Sequence, residues 1–170
     1  RIREAYGDVP IIIGGLEASL RRFAHYDYWS DSLKPSILVE SGADLLIYGM
    51  GEKVVQQVAR AMRNGFNAKL LRKIRQVAFL ADESYVERLE PSSTIRLASY
   101  EECVADKHAF ARNFVEEETL SNAMQTDTTL VERVGDKYVV VTPPNLTLTT
   151  EELDHSFDLP YERSPHPRYR

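Results

Sequence analysis

The run from Val9 to Ile13 is apolar, rich in β-branched side chains, and stops at Gly14-Gly15. An apolar stretch without polar alternation marks a strand covered on both faces, as in a parallel sheet. A helix is predicted from about Leu16 to Phe23. The arrangement then recurs: Leu45-Leu46-Ile47-Tyr48 reads as a short strand, Gly49-Met50-Gly51-Glu52 as a turn, and Lys53 to about Asn64 as a helix. In that helix Val54, Val55, Val58, Ala59 and Met62 form a stripe at helical spacing, and Gly65 supplies the stop. Val77 to Leu80 is a third strand. Two strand, glycine, helix units with a further strand behind them predict an α/β domain, three-layered and Rossmann-like or flavodoxin-like, with a mainly parallel sheet.

The pattern changes at Ser99. Ser99-Tyr100-Glu101-Glu102 is a capping box, in which the serine hydroxyl takes a free backbone N–H and the glutamate reaches back, so a long helix is predicted from there to about Asn122 with Cys103, Phe110 and Phe114 on one face. Two β-rich segments flanking Gly135-Asp136 then read as a hairpin, closed by Pro143-Pro144. Thr149-Thr150-Glu151-Glu152 opens a last short helix with Leu153 and Phe157 as its contacts. The divisions expected are residues 1–98 for the α/β part, 99–158 for a helix and hairpin extension, and 159–170 for a Pro- and Arg-rich arm. Arg1 to Ala5 reads as the end of a helix capped by Gly7, and with no initial Met the chain is expected to be a fragment, its sheet an incomplete half.

Composition narrows the class. With 170 residues, 43% hydrophobic and 28% charged, the chain resembles an ordinary globular domain with room for one sizeable core. No apolar run approaches the roughly 20 residues of a membrane-spanning helix, and no signal peptide is visible. The net charge of −5 argues against a nucleic-acid-coating surface. Basic residues do cluster in Lys69 to Gln76, expected as a solvated helix face with Leu70, Leu71 and Ile74 turned inward. The single cysteine, Cys103, excludes an internal disulfide and any multi-cysteine metal site built by this chain alone, and fits a reducing cytoplasm.

Candidate chemistry gathers around the glycine turns. In parallel α/β sheets ligands lie beyond the carboxyl ends of the strands. Gly14, Gly15, Gly49 and Gly51 fall at such ends, where glycine allows close backbone approach and free helical N–H groups can hold an anion. The spacings match neither dinucleotide nor phosphate-loop patterns, so ligand-free turns are the alternative. Glu17 and Glu52 follow in the first helical turns, either complementing the helix dipole or lining one crevice together. His25-Tyr26-Asp27-Tyr28-Trp29 needs something to pack against: it is either a plug over the strand ends or a pocket wall or docking surface, with Arg21 and Arg22 as partners for an anion or carboxylate. Catalytic and metal-ligating residues are not assigned, because no nucleophile elbow and no ligand spacing among the histidines is present. Asp106-Lys107-His108-Ala109-Phe110-Ala111 departs from the Asp-x-His-x-x-Gly loop of cobalamin-binding domains at Ala111 and is expected inside a helix.

One stretch carries a longer resemblance. Ile11 to Glu52, with its strand ending in Gly14-Gly15 and its Ala43-Asp44 leading to Gly49-Met50-Gly51-Glu52, resembles the segment ahead of the catalytic core in YgiQ-type radical SAM proteins. Ser99 to Ala111 and Pro160 to Tyr169 are similar to the same family. The resemblance implies that residues 1–98 are a cobalamin-binding-like accessory domain and that 159–170 lead toward a radical SAM barrel. In that family a Cys-x-x-x-Cys-x-x-Cys motif, C-terminal to this arm, holds a [4Fe-4S] cluster that cleaves S-adenosylmethionine. The motif is not in this chain, so cluster and S-adenosylmethionine are expected only in the full-length protein. The partner implied is the chain's own C-terminal barrel, with a substrate that the sequence does not name. The alternative is a stand-alone module holding a nucleotide-like or anionic ligand at Gly14-Gly15 and Gly49-Gly51.

Overall fold

The computed structural model describes residues 1–63, 65, 67–123 and 125–169, with the side chain of residue 68 outside that description. In chain order the elements are α1 (Ile2–Tyr6), β1 (Ile12–Gly14), α2 (Leu16–Leu20), β2 (His25–Asp27), β3 (Ser32–Lys34), α3 (Ile37–Ser41), β4 (Leu45–Ile47) and α4 (Glu52–Met62). They continue as α5 (Ala68–Leu71), β5 (Val77–Ala81), α6 (Glu83–Val86), β6 (Thr94–Arg96), α7 (Tyr100–Ala105), α8 (Lys107–Ser121), β7 (Thr129–Val134), β8 (Lys137–Val141) and α9 (Thr150–Phe157). The end expected for α4 at Asn64 lies outside the described residues. The capping box predicted at Ser99 forms with Glu102, and the short helix expected from Thr149 starts with a second one, Thr149 with Glu152.

The architecture is α/β: a six-stranded sheet in the order β1-β4-β5-β8-β7-β6, packed by helices, beside the small β2-β3 ribbon. The sheet is less parallel than the glycine turns alone imply. β1 runs parallel to β4 and β6 to β7, whereas β4-β5, β5-β8 and β7-β8 are antiparallel. The reason lies in the connection after α4. That helix leads away from the carboxyl end of β4, but α5 and the turn behind it bring the chain back to the same end, where Val77 pairs with Ile47. A crossover that returns to its starting rim can only deliver an antiparallel strand. The hairpin of residues 129–141 then adds to β5, so the extension belongs to the same sheet.

Alternation along the strands sends side chains to two cores. Leu45, Ile47, Val77, Phe79, Val131 and Val140 face one layer with Val54 and Val58 of α4. Leu46, Ala78, Leu130, Val139 and Val141 face the other with Ala18, Phe23 and Leu38. β1 contributes Ile12 to the first and Ile13 to the second, as a two-faced strand should, yet it is the sheet edge and stays only partly buried. Its start is fixed by the Asp44 carboxylate, which accepts from the Ile11 N–H at 2.7 Å and from the Arg3 guanidinium at 2.8 Å.

Three sequence expectations change. The helix expected from Ser99 to Asn122 is two helices, broken at Asp106, whose extended backbone (φ −136, ψ 108) ends α7 while its carboxylate accepts the His108 N–H and starts α8. Asp106 therefore stands between helices and not within one. The basic run of 69–76 is no solvated helix either, since α5 ends at Leu71 and Leu70 is exposed. Arg72 lies over the rings of Phe79 and Tyr85, and Arg75 binds Asp127 and the carbonyls of Thr126 and Pro144. These are contacts of planar guanidinium groups, which stack and fork where an ammonium cannot.

Candidate functional site at the strand ends

Parallel pairing sets Gly14 opposite Ile47, so the two glycine bends leave the sheet at one rim. Ser19 of α2 joins them: its hydroxyl donates to the Gly15 carbonyl at 2.8 Å and accepts the Gly49 N–H at 3.0 Å. Gly15 (φ +91) and Gly49 (φ +66) both sit where side chains are strained. A Cβ on Gly14 would meet the Ile47 carbonyl oxygen at 3.1 Å, so the strands approach more closely there than a larger residue allows.

A single side chain ties two chain segments together at this rim. Gln76 precedes β5 with φ +67, a left-handed conformation that costs a non-glycine residue about 1–3 kcal/mol. Its amide offsets that cost by donating to the carbonyls of Tyr48 (2.7 Å) and Met50 (2.6 Å) while its Oε1 accepts the Asn145 N–H at 3.2 Å. The turn after β4 and the strap after β8 are thus clamped together. Between them lies a cavity of about 320 Å³, bordered by Ser19, Arg22, Tyr48, Gly49 and Gln76 on one side and Leu146 to Leu148 on the other. Gly49→Ala would place its Cβ 3.3 Å from the Gln76 Nε2 and force the left-handed strain on an alanine. We expect a loss of about 1–2 kcal/mol in denaturant unfolding, and an unchanged midpoint would show that the turn tolerates another conformation.

Arg22 is the charged centre. It is 9% exposed, donates to the Ser19 carbonyl at 2.6 Å and to the Ser121 hydroxyl at 3.2 Å, and pairs with Glu117 of α8 at 2.7 Å. Burial pushes the Glu117 carboxyl up, and the Arg22 guanidinium offsets part of that rise. A second cavity of about 600 Å³ lies beside Arg22, under the base of the β2-β3 ribbon. Glu132 and His25 border it. Glu132, 1% exposed in β7, accepts the Ala24 N–H at 3.0 and 3.1 Å, and burial pushes its carboxyl up to about 8. His25 is held below its usual range by burial; its Nδ1 donates to the Phe23 carbonyl at 3.2 Å, so Nε2 carries a lone pair.

The expected site residues divide into three groups. Gly14, Gly15, Gly49 and Gly51 build the bends, and Arg22 lies at the heart of the rim. Glu17 pairs with Arg21 one helical turn on, Glu52 is exposed, and neither carboxylate borders the cavity. His25 is buried, whereas Tyr26, Tyr28 and Trp29 project from the ribbon, the last two stacked at 4.8 Å between ring centroids. The cluster does not plug the strand ends: Trp29 is 80% exposed. Gln76, Asn145, Glu117 and Glu132 were not expected. Only Glu132 had a sequence signal, since it alternates with Leu130 and Val134 and so shares their inward face.

The model of the Radical SAM N-terminal family matches residues 1–170. The chain belongs to that family. Among its relatives are UPF0313 proteins of Porphyromonas gingivalis, 47% identical over 99% of this chain and 26% of the relative, and of Bacteroides thetaiotaomicron, 44% identical over 99% of this chain and 28% of the relative. A third, from Geobacter sulfurreducens, is 40% identical over 99% of this chain and 27% of the relative. This Radical SAM N-terminal chain thus spans about a quarter of the length of the relatives it matches. No solved structure matches it.

The residues of this domain do not fit a [4Fe-4S] cluster. Its one cysteine, Cys103, is buried, with burial pushing the thiol up to about 11, and no group of three His, Cys, Asp or Glu side chains among the described residues is placed to hold a metal. No helix of the described residues is long and apolar enough to cross a membrane.

Proposed function

We propose that this chain is the accessory domain of a cytoplasmic radical SAM enzyme, that the C-terminal part of the same polypeptide binds the [4Fe-4S] cluster and cleaves S-adenosylmethionine, and that the domain packs on that part and shapes access of substrate. The observation that carries this reading is an apolar face with no cover. Leu16 and Leu20 of α2, Tyr26, Tyr28 and Trp29 of the ribbon and Phe114 of α8 are all exposed, and Leu20, Tyr26 and Phe114 rim the same cavity. Exposed apolar patches of this kind mark interfaces. The occupant we assign is the rest of the polypeptide, because relatives extend over nearly four times the length matched here. A large covalently attached partner has a high effective concentration, so a modest patch suffices to hold it.

The test is the double substitution Tyr28→Ala, Trp29→Ala in the full-length, cluster-reconstituted protein, read by S-adenosylmethionine cleavage and by thermal unfolding. Turnover should fall while the midpoint shifts little, since two exposed rings contribute little to the fold of their own domain. Lost stability with intact turnover would leave the rings a packing role only, and no change in either would remove them from the interface.

A further inference from the structure

We propose that the cavity at the strand ends is a binding site for a small molecule with an apolar body and a carbonyl-type acceptor oxygen, held by Arg22 and Asn145. The site goes beyond the docking role and stands on residues other than those of the apolar face.

Arg22 and Asn145, which border this cavity, each carry a buried side-chain donor, Nε and Nδ2, without a partner among the described residues. Leaving a buried donor unmatched is costly, and an incoming oxygen recovers that cost. Among the described residues no buried side-chain acceptor at this cavity is left unmatched, so the complementary ligand offers acceptors. The charges are already balanced: Arg22 pairs with Glu117 at 2.7 Å, and Lys53 pairs at 2.8 Å with Glu152 of α9. A polyphosphate would therefore meet too little positive charge, whereas one carbonyl or carboxylate group matches the donors. Leu120, Leu130, Val141 and Leu148 give the wall its apolar part, beside the hydroxyl side chains of Thr126, Thr128 and Thr142. A volume of about 320 Å³ lies near the lower end of the range for ligand sites. The strap beyond β8 forms one wall, pinned at its start by the Tyr48 hydroxyl on the Thr142 carbonyl and further on by Gln76, Arg75 and the Lys53–Glu152 pair.

Three probes with branched aliphatic bodies separate the possibilities in the full-length protein: isocaproate, isocaproamide and isoamylamine, each titrated by saturation-transfer NMR. The acid and the amide should bind, their order reporting whether a charged or a neutral acceptor is preferred, and the amine should not. Asn145→Ala removes an amide whose Nδ2 has no partner among the described residues, so circular dichroism should stay unchanged while affinity for both acceptor probes falls about fivefold to tenfold. Thr147→Trp, filling the cavity from its exposed wall, should abolish binding. The Tyr28, Trp29 double variant should leave binding intact, which separates this site from the docking face. Binding of the amine as tight as that of the amide, absence of binding by every probe, or indifference to both Asn145→Ala and Thr147→Trp would overturn the proposal.

Discussion

Arg22→Met should destabilise the chain by about 3–5 kcal/mol at neutral pH, more than any surface substitution could. Methionine keeps most of the aliphatic volume, so the loss reports on charge. Arg22 and Glu117 have side-chain exposures of only 11% and 17%, and removing the guanidinium strands a carboxylate that burial already disfavours. The Ser19 carbonyl and the Ser121 hydroxyl lose a partner as well. Because Glu117 can relieve its position by taking a proton, the defect should shrink as pH falls. The double variant Arg22→Met, Glu117→Gln should recover part of the loss, since no charge is then left alone. Urea titrations of the three proteins at two pH values test this; equal losses for single and double variants would mean that shape, not charge, holds Arg22 in place.

Glu132→Gln should reverse the usual sign of a core substitution, stabilising the chain at alkaline pH. Burial raises the Glu132 carboxyl from 4.5 to about 8 in the fold. The folded state therefore holds a proton that the unfolded state has already lost, so stability from this group is complete below 4.5 and drains away as pH climbs through about 8. The slope reaches at most about 1.4 kcal/mol per pH unit. Glutamine cannot ionise, yet its carbonyl oxygen can still accept the Ala24 N–H. Wild type and variant should match near pH 4.5 and diverge as pH rises, the variant being the more stable near pH 8. Parallel curves would show that the carboxyl is ionised in the fold.

What was legible in the sequence follows from how local each cause is. The bends at Gly14-Gly15 and Gly49-Gly51 can be read because apolar runs stop at them, and the capping box at Ser99 because the whole motif spans four residues. The direction of β5 could not be read. It depends on α5 and the turn behind it returning to one rim, a matter of path and not of periodicity. The β2-β3 ribbon escaped because each strand has three residues and its turn relies on Asp31 at φ 47 where a glycine would have signalled it. The break at Asp106 is hidden because an isolated aspartate looks the same inside a helix as between two. At the site, Arg22 stood out by its place beside the rings. Gln76 did not, since its role rests on three backbone groups, at Tyr48, Met50 and Asn145, that only the fold brings within reach.

The most direct measurement of the docking role is hydroxyl-radical footprinting of the full-length protein, comparing oxidation of Tyr28 and Trp29 in the native and the urea-unfolded states. In the domain alone these rings are 68% and 80% exposed. If the C-terminal part covers them, native oxidation should be strongly suppressed relative to the unfolded chain, and suppression should extend to Leu20 and Phe114. Native rates close to those of the unfolded chain would contradict it, leaving the ribbon in water and the domain attached through some other face.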